Sequence, residues 1–344
     1  MRVLLASDGF LTDEVMREAL TAEIPDVETA AIASTWPVPP FHDVAEVKEA
    51  LGDEDELIDA LQGCEVAFSH TFPFTEKVIA ACPDLKLITI CRGGPVNVNI
   101  DAATKRGVLV SYTPGRNATA TAEHTIGMIL AAARQIPQRH NEVIGGQWRS
   151  DYYIFDNVGP EIGSSTVGVV GYGAVGAKVA NIMASFGGRV LVFDPWAKNR
   201  EGASNIEFVE DVDDLLAGSD IVTLHARVTP ENQHMINAAT IAKMPKNSII
   251  INCARGALVD YDAVCDAIDS GHLFAAAFDC LPEEPLPADH RLMSTPRVTF
   301  TPHLAGASKE ASRLAARIGS ADIAAFIRGE KPTHLANPEV LDQA

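Results

Sequence analysis

Short apolar runs alternate with amphipathic stretches along almost the whole chain. Residues 3–6, 65–69, 85–91 and 108–111 are apolar runs of strand length, and residues 12–20 carry a helical period. A polar, proline-rich stretch at 35–42 reads as a loop, and 53–61 as the solvated acidic face of a helix. After a break at Tyr112-Thr113-Pro114-Gly115, a long helical pattern runs from about Thr119 to Ile144. Its Ala-rich middle predicts close helix packing, and Pro137 should kink or shorten it. Beyond a loop at 145–163, strand runs restart at 166–170 and recur near 189–193, 220–224, 248–252, 273–277 and 297–300. A final helix is predicted over about 308–328. This alternation predicts an α/β protein with parallel sheets.

The chain has 344 residues, enough for about two domains. Lys and Arg total 27 against 46 Asp and Glu, a net charge of −19, which argues against a nucleic-acid partner. The start, MRVLLA followed by Asp8, is too short for a signal peptide, and no apolar run is long enough to span a membrane. The cysteines at 64, 82, 91, 253, 265 and 280 form no CxxC pair and read as reduced thiols of a cytoplasmic protein. The histidines show no metal-ligand spacing, so no metal is expected.

The strongest local signal is Gly171-Tyr172-Gly173-Ala174-Val175-Gly176, between an apolar strand and a helix. Gly171 permits the tight turn, Gly173 lets the backbone approach a pyrophosphate, and Gly176 lets helix and strand pack closely. The backbone of Ala174 and Val175 should face the pyrophosphate at the helix N-terminus. The next strand ends at Asp194, whose carboxylate is placed to accept from the adenosine ribose hydroxyls. It would repel the extra phosphate of NADP, so the expected cofactor is NAD. A simple turn at Asp194-Pro195 is the alternative.

With this motif in place, four co-linear stretches resemble the D-isomer-specific 2-hydroxyacid dehydrogenase family. They are TVGVVGYGAVG (166–176) with FDP (193–195), MPKNSIIINCARGALVD (244–260), AAAFDCLPEEPLP (275–287) and TPHLAG (301–306). The resemblance implies two doubly wound parallel-sheet domains, a Rossmann NAD-binding domain inserted in a flavodoxin-like substrate domain. The substrate domain would comprise 1–112 plus 308–344, the NAD-binding domain 113–307, and the active site would lie in the cleft between them. It also implies a homodimer built through the 119–144 helix region.

Oxidising a 2-hydroxy acid needs a base for the hydroxyl proton, a partner for that base and a cation for the carboxylate. His303 fits the base, since imidazole titrates near working pH. Glu284 fits its partner, and Arg255 the cation. These match the family's His, Glu and Arg one for one. The family places Asp279 near the nicotinamide, and its pattern also sets Cys253 and Ala254 beneath the cofactor and His225 toward the adenine. Packing suits Cys253 better than nucleophilic chemistry, because hydride transfer needs no nucleophile. His124 reads as a core histidine.

The chain departs from the family at Arg92-Gly93-Gly94-Pro95-Val96-Asn97, where Gly-Val-Gly-x-Asp-Asn is usual. Backbone amides of Gly93 and Gly94 should hold the substrate carboxylate. Arg92 is a candidate contact to a second polar or anionic group, which suggests a polar or sugar-derived 2-hydroxy acid; alternatively it faces solvent or pairs with an acid. Arg227 is a second unusual cation. Two other readings stand beside the dehydrogenase: an NAD(H)-sensing corepressor-like protein, and a formate- or phosphite-type dehydrogenase. Relatives that oxidise formate typically carry Gln where Glu284 stands.

Overall fold

Almost every apolar run becomes a strand in one of two parallel sheets. The computed structural model describes residues 1–197 and 202–343. The chain divides into two compact units, Met1–Asn117 with Ser308–Ala344, and Ala118–Ala307. In this division the chain first crosses between units after Asn117.

The first unit contains β1 (Arg2–Ser7), β2 (Glu28–Ala33), β3 (His42–Val44), β4 (Val47–Ala50), β5 (Val66–Ser69), β6 (Leu87–Ile90) and β7 (Leu109–Tyr112). Five of them form a sheet in the order β2-β1-β5-β6-β7, with every pairing parallel, while β3 and β4 form a small antiparallel ribbon. Alternation along each strand splits the core in two. Val3, Leu5, Val66 and Leu87 pack with Met16 and Leu20 of the Asp13–Glu23 helix and with Ala315, Ala316 and Ile323 of the Lys309–Ile327 helix. Leu4, Ala6, Ala67 and Ile88 pack on the opposite face with Leu57, Leu61, Val78 and Ile79. Both faces are covered, as parallel sheets require. The final helix belongs here because its small residues let it lie close: a Cβ on Gly319 would meet the Phe68 ring at 2.5 Å.

The second unit contains β8 (Thr166–Val170), β9 (Arg189–Phe193), β10 (Ile206–Phe208), β11 (Ile221–Leu224), β12 (Ser248–Asn252), β13 (Leu273–Phe278) and β14 (Val298–Phe300). They pair in the order β10-β9-β8-β11-β12-β13-β14, all parallel. The order reverses between β8 and β11, the kind of switch point where open α/β sheets bind ligands.

The long helix expected over 119–144 is two helices, Ala118–Arg134 and Ile136–Ile144. Gln135 separates them with a φ of 54°. Its side chain donates to Ala132 O at 2.7 Å and so closes the first helix. Pro137 sits in the first turn of the second helix, where its missing N–H needs no partner. The sequence pattern therefore located the interruption, and the break itself falls two residues earlier.

Candidate active site

The glycine loop follows β8, and each glycine has a separate reason. Gly171 has a φ of 95°, and a Cβ there would lie 2.8 Å from the His225 backbone. A Cβ on Gly176 would lie 1.9 Å from Gly171 O, so no larger residue lets the helix start against the strand. A Cβ on Gly173 would meet nothing within 4 Å, which leaves open space at the loop. The Gly176–Ser185 helix begins at Val175 with no side-chain cap, so its N-terminal amides and dipole are available to an anion. Asp194, at the end of β9, accepts from Tyr172 N at 2.6 Å and from Trp196 N at 2.8 Å. It both starts the turn and ties down the glycine loop. A carboxylate has about four acceptor positions, so capacity remains for a ribose. This arrangement fits a dinucleotide.

Cys253 is buried, and burial pushes its thiol up to about 12, which makes it an unreactive packing residue. His225 is held neutral by burial, with its pKa lowered to about 4, and its Nε2 lies 3.0 Å from Thr223 Oγ1. Arg227 is exposed.

The three candidate catalytic residues lie on turns after β12, β13 and β14. Asn252 braces the first turn: its Oδ1 accepts from Ala254 N at 3.0 Å and its Nδ2 donates to Arg255 O at 2.8 Å. The exposed Arg255 side chain donates from Nη1 to Ala254 O at 2.7 Å. Gly256 lets this turn press against the next one, since a Cβ there would lie 2.0 Å from Leu281 O. Glu284 on that second turn accepts from Leu281 N at 2.9 Å through Oε1, and its Oε2 lies 2.6 Å from His303 Nδ1. Burial works against the charged carboxylate, but His303 and the Leu281 amide outweigh it and hold Glu284 below the usual carboxylate range. The Cys280 sulfur and then Glu284 stabilise the imidazolium, pushing His303 up to about 10. The Cys280 sulfur, a Glu284 carboxylate oxygen and a His303 ring nitrogen lie within 4.8 Å of one another.

His303 itself has a φ of 50°, an uncommon conformation for a side-chain-bearing residue. Asp279 holds it there. That carboxylate, fully buried, accepts from Thr301 Oγ1 at 2.6 Å, Leu304 N at 2.9 Å and Ala305 N at 2.8 Å. Asp279, expected beside the nicotinamide, thus ties down the turn that carries His303. His124, expected as a core histidine, joins the same network through Thr301 Oγ1 at 3.0 Å.

In the first unit, Gly93 and Gly94 follow β6, and among the described residues neither amide donates to another group. Arg92 pairs with Glu49 through its carboxylate and backbone oxygens and lies 4.8 Å over the Phe41 ring. This is the acid-paired alternative that the sequence left open. Two residues escaped the sequence reading. His70 Nδ1 lies 2.7 Å from Asp8 Oδ2 in a buried pair, and Arg116 has a buried Nε and Nη1 without hydrogen-bond partners.

Known proteins resemble this chain in sequence and in fold. Residues 126–305 match the model of the D-isomer specific 2-hydroxyacid dehydrogenase NAD-binding domain. A glyoxylate reductase of Thermofilum pendens is 38% identical over 77% of this chain and 78% of its own. A D-3-phosphoglycerate dehydrogenase of Methanocaldococcus jannaschii is 34% identical over 86% of this chain and 56% of its own. The crystal structure of D-lactate dehydrogenase with NAD⁺ from Lactobacillus jensenii superposes with a TM-score of 0.77 at 25% identity, covering 98% of this chain and 99% of that one. Among the described residues no helix is long and apolar enough to cross a membrane. The fold, the glycine loop and the matched domain together establish that the chain belongs to the NAD-dependent D-isomer-specific 2-hydroxyacid dehydrogenase family.

Proposed function

We propose that the protein interconverts a D-2-hydroxy acid and its 2-keto acid. The observation that carries this reading is the 2.6 Å His303–Glu284 pair, with Arg255 on the adjacent turn. Bound NAD supplies the two-electron acceptor or donor. In the reducing direction protonated His303 donates its proton to the keto oxygen, and in the oxidising direction neutral His303 takes the hydroxyl proton. Glu284 keeps the imidazole oriented and favours its charged form. Arg255 engages carboxylate and carbonyl oxygens of the substrate. Asp279 acts through the turn that carries His303. The Ala174 and Val175 amides receive the pyrophosphate, Asp194 the ribose, and Cys253 and Ala254 line the cofactor side.

The substrate is a polar 2-hydroxy acid, in keeping with the names of relatives that act on glyoxylate and 3-phosphoglycerate. Six buried, unpaired thiols suit a cytoplasmic protein. The working unit is a homodimer. The Ile136–Ile144 helix buries none of its residues, and Trp148, Tyr153 and Phe155 are 88%, 92% and 90% exposed, an apolar face that a second copy would cover. The test is NADH absorbance against glyoxylate, hydroxypyruvate, pyruvate and sugar-derived 2-keto acids. Consumption with at least one supports the proposal. Silence across the panel with intact NADH binding contradicts it.

A further inference from the structure

The turns that carry the proposed acid also bring a sulfur to it, all within the second unit. Cys280 follows β13, one residue after Asp279, and is buried. The family motif has Val at this position, and hydride transfer uses no thiol, so the reaction proposed above leaves the sulfur unexplained. Its backbone is fixed: Tyr261 Oη donates to Cys280 O at 2.6 Å, and the Tyr261 ring packs edge-on against Phe278. Its thiol donates to Ala254 O at 3.3 Å.

From that buried position the sulfur lies within 4.8 Å of both a Glu284 carboxylate oxygen and a His303 ring nitrogen. Glu284 and His303 are exposed, so the group is a well with a thiol at its floor and a carboxylate and an imidazole at its mouth. Among the described residues no other three Cys, His, Asp or Glu side chains come together in this way. The supports are in place as well. Leu281 N holds Glu284 Oε1 at 2.9 Å, and Asp279 ties down the His303 turn. Such outer contacts orient metal ligands.

Sulfur, imidazole nitrogen and carboxylate oxygen together suit zinc, whereas magnesium and calcium take oxygen donors. Zinc holds sulfur at about 2.3 Å and nitrogen or oxygen at about 2.0–2.1 Å in a tetrahedral shell, which sets the donors about 3.5 Å apart. Reaching that spacing takes shifts of about 1 Å, which the two exposed side chains can supply while Cys280 stays fixed. Three protein donors leave a fourth position for water. Glu284 and His303 stand 19 residues apart on separate turns, so no compact ligand spacing appears in the sequence.

We propose that Cys280, Glu284 and His303 form a site for a thiophilic divalent metal ion, zinc being the one its donors fit, and that the bound ion switches the reaction off. Binding releases the thiol proton and the proton between His303 and Glu284 to solvent. The ring then carries one proton at most and no longer cycles between imidazolium and imidazole. The inhibition rests on the reductase reading; the metal site does not.

The test uses the full chain, stripped with a chelator and dialysed. Co²⁺ reports the site directly, because a thiolate ligand gives it a near-ultraviolet charge-transfer band. The wild type should take up one equivalent and show the band. Zn²⁺ should abolish it by displacement, and excess Mg²⁺ should not. Cys280→Val, and Cys280→Ser, which keeps a donor for Ala254 O, should both lose the band. Competition with a chromogenic chelator should show Zn²⁺ binding weakened at least about tenfold in both, and also in Glu284→Gln, an exposed substitution that leaves the core intact. Zn²⁺ should inhibit keto acid reduction by the wild type in step with occupancy, and chelation should restore it. Cys280→Val, judged against its own zinc-free rate, should need at least about tenfold more Zn²⁺. No band in the wild type, a band that survives both Cys280 substitutions, or undiminished Zn²⁺ binding in Glu284→Gln overturns the site. Saturation with Zn²⁺ that leaves reduction intact overturns the inhibition. If the metal-free wild type reduces no keto acid, the reductase reading fails instead, and the Co²⁺ and Zn²⁺ titrations decide the site alone.

Discussion

Replacing Glu284 by Gln tests how the protein tunes its acid. The side chain keeps its size and its capacity to accept from Leu281 N, but loses the charge facing His303. A hydrogen bond to an ionised partner contributes about 1.5–3 kcal/mol when shielded from water. His303 and Glu284 are 46% and 37% exposed, so solvent screening puts this pair at the low end of that range. One pKa unit corresponds to about 1.4 kcal/mol. The substitution should therefore lower the His303 pKa by about one unit, with Cys280 maintaining the rest of the elevation. In the proposed mechanism reduction needs protonated His303, so its rate should fall as pH rises through that pKa, near 10 in the wild type. In Glu284→Gln the falling limb should shift to about pH 9. Oxidation needs neutral His303, so its rising limb should shift down by the same amount. The assay is kcat/KM against pH in both directions, which reports the free enzyme. A limb that stays in place, or moves to higher pH, refutes the reasoning.

Arg255→Gln should lower kcat/KM for reduction by about tenfold to a hundredfold, the loss of a charge-assisted contact, with NADH affinity preserved by fluorescence titration. Asp194→Asn keeps an acceptor for Tyr172 N and removes the negative charge; discrimination between NADH and NADPH should narrow by about tenfold, about 1.4 kcal/mol, in direct binding measurements. Sedimentation equilibrium should give twice the chain mass, and Trp148→Asp combined with Phe155→Asp should shift it toward the monomer.

The sequence was most legible where a residue type has one physical use. The glycine loop is an example: steric contacts of 1.9 and 2.8 Å leave Gly176 and Gly171 no alternative, and the motif survives as a string. Strands buried on both faces were equally plain as apolar runs. By contrast, β2 reads Glu-Thr-Ala-Ala-Ile-Ala, lies at a sheet edge and is partly exposed, so it carries little hydrophobic signal. The 35–42 stretch reads correctly as a loop through Phe41, yet it holds Trp36 and Phe41, whose stacking depends on a fold that no local pattern reveals. Asp279 and His124 were visible as polar residues near motifs. Their shared hold on the His303 turn is a tertiary fact, as is the pairing of Arg92 with Glu49, 43 residues away. Arg116 gave no signal because an orphaned guanidinium is defined by the partners it lacks. Cys280 had a faint one: it stands where the family motif has Val, and it comes to rest beside the proposed acid.

The proposed mechanism depends on His303 transferring the substrate proton. The most direct measurement is single-turnover NADH consumption with the best keto acid of the panel, comparing the wild type with His303→Gln at saturating NADH. A positioned general acid contributes about a hundredfold to ten-thousandfold. His303→Gln should lose that much in the chemical step, with NADH affinity unchanged. A variant that consumes NADH within a few-fold of the wild-type rate contradicts it.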